Sequence, residues 1–186
     1  MQLKWTAVAL AALTLVACGK KEEAAAPAAP APTAAAPAPA APPADALVVK
    51  IGHVAPTSGP IAHLGKDNEF GARMAIEDLN AKGLKIGDKV AKFELLPEDD
   101  AGDPKQGTAV AQKLVDSKVN GIVGHLNSGT TIPASKLYSD AGIPQISPSA
   151  TNPKYTRQGF KTTFRVVADD TQLGGTLGKY AVETLK

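Results

Sequence analysis

The chain has 186 residues, 44% of them hydrophobic and 20% charged, and its net charge is +2. That composition excludes a wholly disordered, strongly charged chain, and 20 basic against 18 acidic residues leave no polybasic surface for nucleic acid. A single cysteine can neither close an internal disulfide nor complete a cysteine-type zinc site.

Lys4 precedes an apolar run from Trp5 to Ala17 that is broken only by Thr6 and Thr14. About 13 residues fall short of the roughly 20 that a spanning helix needs, but they fit the apolar region of a secretory signal. The run closes on Leu15-Val16-Ala17-Cys18-Gly19, which resembles the bacterial lipobox. That resemblance implies a signal peptide over residues 1–17, a lipidated Cys18 as the mature N-terminus, and a periplasmic protein anchored to a membrane. More than one acyl chain is needed for firm anchoring. Residues 24–46 are Ala and Pro apart from Thr33 and Asp45, and seven of the 15 prolines fall there, too close together for a helix to propagate. Residues 18–46 are therefore expected to be a lipid-bearing, extended tether. The folded part is expected over residues 47–186.

Within it, Leu47 to Val54 is an apolar run ending in the turn-rich Pro56-Thr57-Ser58-Gly59-Pro60, which predicts a buried strand. A helix is predicted from about residue 67 to residue 82, with Ala72, Ala75, Ile76 and Leu79 on one face and Gly83 at its end. Gly87-Asp88 precedes a second strand, Val90 to Leu96, and Glu98-Asp99-Asp100 is expected to be a solvated turn. Asp103-Pro104-Lys105-Gln106 carries an N-cap acid, a first-turn proline and a glutamine able to complete a capping box. The helix it opens presents Gly107, Val110, Ala111 and Leu114 on one face. A strand over Val119 to Val123 is followed by a helix carrying Ala134, Leu137, Tyr138 and Ala141, which stops at Gly142. Short strands are predicted at Ile143 to Ile146 and Thr163 to Val167, with a last helical stretch from about Thr171. Alternating strands and helices with short loops predict an α/β fold, a doubly wound and mostly parallel sheet with helices on both faces. Ligands of such sheets bind at the carboxyl ends of the strands.

No Gly-x-Gly-x-x-Gly follows the first strand, and no Gly-x4-Gly-Lys-Ser/Thr or Gly-x-Ser-x-Gly occurs, so the usual nucleotide cradles and hydrolase elbow are missing. His53, His63 and His125 lack acidic partners at ligand spacing and are not read as metal ligands; no enzyme and no cofactor are expected. A hydrolytic alternative would pair His125 with Ser128. Gly124-His125-Leu126-Asn127-Ser128-Gly129-Thr130-Thr131 opens a helix, whose unpaired amides and hydroxyls can seat a carboxylate. Equally, Thr130 or Thr131 can simply cap that helix. Ser147-Pro148-Ser149-Ala150-Thr151 offers carbonyls and a hydroxyl that suit an ammonium group, and the two loops together would make a site for an amino acid.

The stretch from Lys50 to about Lys186 resembles the N-terminal part of the leucine/isoleucine/valine-binding proteins of bacterial ABC transporters. Matching motifs are Ser58-Gly59-Pro60, Phe70-Gly71-Ala72, Ile76-Glu77-Asp78-Leu79-Asn80-Ala81-Lys82-Gly83, Asp103-Pro104-Lys105-Gln106, Gly124-His125-Leu126 with Ser128, and Ser147-Pro148-Ser149-Ala150-Thr151. Arg165 and Asp170 also fall at family-like positions. The resemblance implies a lobe of the type I periplasmic binding fold, a free amino acid as ligand, and permease subunits as partners. It further implies that Ser128 binds the α-carboxylate, while the Ser149 carbonyl and Thr151 hydroxyl, with Ala150 between them, hold the α-ammonium. Leu64 stands where such proteins often place an aromatic against the ligand side chain, and Asp170 completes the expected set. Family members continue well beyond Lys186, so the resemblance implies an incomplete first lobe that binds weakly, or a lipoprotein without a transport role.

Overall fold

A computed structural model describes residues 46–185; the expected signal peptide, Cys18 and tether lie outside the described residues. The chain runs through strand β1 (Leu47–Ala55), helix α1 (Ala62–Lys82), strands β2 (Lys85–Ile86) and β3 (Lys89–Asp99), and helix α2 (Pro104–Asp116). Strand β4 (Gly121–Gly124), helix α3 (Ser128–Asp140) and strand β5 (Gln145–Ser147) follow, then a 3-10 turn (Pro153–Thr156), strand β6 (Thr163–Arg165) and helix α4 (Asp170–Tyr180). The sheet order is β2-β3-β1-β4-β5-β6, with all pairs parallel except the β2–β3 hairpin. The chain first steps from β1 to β3 on one side and then returns to β4 on the other. The order therefore reverses between β1 and β4, and a crevice opens at such a point.

Strand alternation assigns the two faces. Ile122 turns toward α2 and α3 in a core of Val54, Val110, Ala111, Leu114, Val119, Ala134, Tyr138 and Ile143. The buried face of α2 is the predicted set Gly107, Val110, Ala111 and Leu114. On the opposite face α1 spans a cavity of about 560 Å³ lined by Ile51, Phe93, Leu95 and Val123 of the sheet and by Ala72 and Ile76 of the helix. Its lining is hydrocarbon apart from Asp67 and Asn68, and none of Ser128, Ser149 or Thr151 reaches it. The C-terminal end of α1 is pinned to the sheet by Asn80, whose side-chain amide donates to the Phe93 carbonyl (2.9 Å) and whose oxygen accepts from the Phe93 amide (2.8 Å).

Helix α1 starts at Ala62, five residues before the predicted position, without any side-chain cap on Ile61. The entry is set by close backbone contact: a Cβ on Gly65 would lie 2.0 Å from the Pro56 carbonyl oxygen. The short edge strand β2 was not predicted, because two residues are too few to show alternation. Asp103 caps α2 as expected, accepting from the Lys105 and Gln106 amides. The Gln106 side chain does not close the capping box; its amide points to the Asp99 carbonyl (3.4 Å), and the Asp103 amide donates to Asp100 instead.

Leu114 is fully buried, against Gly52 and Ile122, whereas Leu177 on α4 is 67% exposed. Leu114→Ala is expected to lower the unfolding free energy by about 2–5 kcal/mol and Leu177→Ala by less than about 0.5 kcal/mol, as read from urea denaturation.

Candidate functional site

Four loops leave the carboxyl ends of β1, β4, β5 and β6 at one edge of the sheet. The first carries Leu64, half-exposed in the first turn of α1. The second runs from β4 into α3, which opens at Ser128. Gly124 makes that turn with φ +138°, and a Cβ there would meet the Val54 carbonyl oxygen at 2.5 Å, so the loop is held hard against β1.

Neither Thr130 nor Thr131 caps α3. The Thr130 hydroxyl donates to the Asn127 carbonyl (3.1 Å), and the Thr131 hydroxyl lies 2.7 Å from that oxygen and 3.1 Å from the His125 carbonyl. Asn127 occupies the N-cap position, yet its side chain makes no capping bond, and its buried Oδ1 has no partner among the described residues. The amides of the first turn are thus not consumed by a side chain, and they carry the positive end of the helix dipole.

The β5 loop is stitched to this turn. The Ser147 hydroxyl donates to the His125 carbonyl (2.8 Å), the Ser149 hydroxyl to the Leu126 carbonyl (2.8 Å), and the Asn152 amide to Ser128 Oγ (3.2 Å). Ser128 and the Ser149-Ala150-Thr151 segment therefore lie in one small region. Two residues further along the chain complete it. The Asp170 amide donates to the Thr151 carbonyl (2.9 Å), and Asp170 is exposed in the first turn of α4. The Arg165 guanidinium donates to the Ala150 and Asn152 carbonyls (3.1 and 3.0 Å) and to Thr156 Oγ1 (3.0 Å), and lies 3.7 Å from Asp169. Arg165 matched the family by position alone; a buried guanidinium binding three backbone or hydroxyl oxygens has no local sequence pattern to announce it.

Beneath the β4 loop the sequence reading is corrected. Glu98-Asp99-Asp100 is not a solvated turn: Asp100 is fully buried, Asp99 accepts from the Thr57 and Ala101 amides, and Glu98 pairs with Lys113. Two of the three histidines are buried and hydrogen-bonded, and one of them, His125 in the loop after β4, has an acidic partner that its sequence spacing did not show. His53 lies within β1, and its Nδ1 donates to the Val123 carbonyl (3.0 Å). His125 Nδ1 donates to Asp100 Oδ2 (2.9 Å), and its Nε2 accepts from the Tyr138 hydroxyl (3.1 Å). The partners lie 25 and 13 residues away, beyond the reach of any motif. His125 does not touch Ser128, so a hydrolytic pair is not formed.

Burial alone would raise the Asp100 carboxyl, but hydrogen bonds from His125 and the Gly102 amide outweigh it and hold the group below its ordinary range. Burial lowers both His125 and His53, only partly opposed by Asp100 in the first case and the Val123 carbonyl in the second. Both imidazoles are therefore neutral where an unfolded chain begins to protonate, near pH 6.5. As pH falls through that value the unfolded state takes up protons that the folded state refuses, and stability drops. Asp100 acts lower: its contribution is present above the unfolded carboxyl pKa of about 3.9 and is lost as pH falls through the folded value. Urea denaturation between pH 7 and pH 5 should show stability falling with acid, and His125→Phe should make that slope shallower.

Residues 48–186 match the periplasmic binding protein family. The chain is 48% identical over 139 residues to the leucine-specific-binding protein of Salmonella typhimurium, covering 74% of this chain and 37% of that protein. It is 44% identical over 138 residues to Leu/Ile/Val-binding protein homolog 1 of Brucella abortus, covering 74% and 36%. Among solved structures, the branched-chain amino acid transporter substrate-binding protein LivJ of Streptococcus pneumoniae, in complex with isoleucine, superposes with a TM-score of 0.68 at 33% identity, over 75% of this chain and 39% of that one. The chain thus spans a little over a third of the length of these relatives, and its six-stranded sheet with flanking helices matches part of their fold. By sequence and by architecture, this chain belongs to the periplasmic binding protein family.

Proposed function

We propose that this chain is the ligand-capturing component of an ABC importer for free aliphatic α-amino acids, branched-chain ones foremost. In this reading Ser128 and the first amides of α3 take the α-carboxylate. The Ser149 carbonyl and the Thr151 hydroxyl, with Ala150 between them, take the α-ammonium. Leu64 lies against the ligand side chain and Asp170 closes the ammonium end. Cys18 carries the lipid anchor at the periplasmic face, and permease subunits receive the ligand. The signal peptide covers residues 1–17, the tether 18–46 and the binding lobe 47–186.

The single observation that carries the reading is the 3.2 Å bond from the Asn152 amide to Ser128 Oγ. It brings an anion-seeking helix start and a carbonyl-bearing loop within the span of one small zwitterion. The names of the relatives agree with a leucine-like ligand. The family is defined by solute binding, and nothing in the site requires a reaction.

Amide resonances of Ser128, Gly129, Ala150 and Thr151 should move on titration with leucine in nitrogen-proton correlation spectra. They should move far less with leucinamide, which lacks the carboxylate, or with 4-methylpentanoate, which lacks the ammonium. Ser128→Ala should weaken binding roughly tenfold. Unmoved resonances at these four positions, or equal responses to all three compounds, would refute the assignment.

A further inference from the structure

The opposite pole of the sheet carries a feature that ligand capture does not use. Between residues 82 and 92 there are four lysines, Lys82, Lys85, Lys89 and Lys92, against one acid, Asp88. They sit on the last turn of α1 and on the β2–β3 hairpin. Lys82, Lys85 and Lys89 are exposed, and none of the four takes part in an ion pair among the described residues. Interleaved with them, Leu84, Ile86 and Val90 are 40%, 48% and 38% exposed. Strand β1 begins at the same pole. Leu47 is paired in register with Ala91 and Val48 with Lys92, and both Leu47 and Val48 are exposed. The patch thus combines exposed ammonium groups with partly exposed aliphatic side chains on one pole of the sheet.

We propose that this pole docks on an anionic phospholipid surface. Charge complementarity selects the partner: lysines are attracted to a negatively charged leaflet, and the aliphatic groups between them can enter the headgroup layer. The point at which the chain enters β1 lies within the patch. Cys18 precedes Ala46 by only 28 residues, so an acyl anchor there would hold the patch at high effective concentration beside the bilayer. The candidate ligand site lies at the other end of the strands, about 35 Å away along the 11 residues of β3. Docking this pole therefore leaves the ligand loops facing away from the lipid and open to solute. The inference does not depend on which ligand those loops bind.

The test is co-sedimentation of the full chain carrying Cys18→Ser, which cannot be acylated, with vesicles of phosphatidylcholine alone or mixed with phosphatidylglycerol. Binding to the mixed vesicles should exceed binding to the neutral ones. The excess should fall at least about tenfold in K82E/K85E/K89E and vanish when salt is raised from about 20 mM to about 500 mM. K66E/K105E/K154E makes the same change in net charge elsewhere and should keep the excess. Three results would overturn the proposal: equal binding to both vesicle types, equal loss in both triple variants, or no loss in K82E/K85E/K89E. So would a vesicle-free shift from dimer to monomer caused by K82E/K85E/K89E, which would make the patch an interface between copies of the chain.

Discussion

Placing an ionised carboxylate in a core is one of the more expensive things a small α/β lobe can do, and Asp100 does it at the end of β3. The expense is met by two donors, the Gly102 amide and the His125 imidazole, and by the Tyr138 hydroxyl that satisfies the far side of the imidazole. Because the carboxylate accepts only from particular directions, the histidine has one permitted position, and with it the β4 loop. The His125 carbonyl in turn accepts from Ser147, and the Leu126 carbonyl from Ser149. One buried pair thus fixes the ends of β3, β4 and β5 relative to one another, which is what a binding site spread over several loops requires.

The helices differ in how their starts are satisfied. Asp103 caps α2 and Asp169 caps α4, each with its own carboxylate. Helix α3 has an asparagine in the same position that does not cap, and hydroxyls at Thr130 and Thr131 that turn back to carbonyls. Local chemistry could have closed this helix and did not. Helix α1 is likewise uncapped at Ile61, and these two starts follow β1 and β4, the strands between which the sheet order reverses.

Much of this was legible in the chain, for physical reasons. The buried face of α2, its acid cap and first-turn proline, and the parallel order of strands follow from spacings of three and four residues and from short loops. Those signals act within one element. The two loops meeting at Ser128 and Thr151 could be anticipated from their small polar residues and family-like motifs. What was missed lies between elements. Asp100 looked like part of a solvated acidic turn because its partner is 25 residues away. The early start of α1 depends on the absence of a Cβ at Gly65 over Pro56, and β5 begins two residues later than the apolar run suggests because Gln145, buried and polar, belongs to it.

Arg165 has a mechanical consequence. Its guanidinium grips the carbonyls on either side of Thr151, while its neighbour in charge, Asp169, caps the helix that carries the chain onward. The loop after β5 and the outgoing helix are thus tied together through one side chain, so a displacement of either is transmitted to the other.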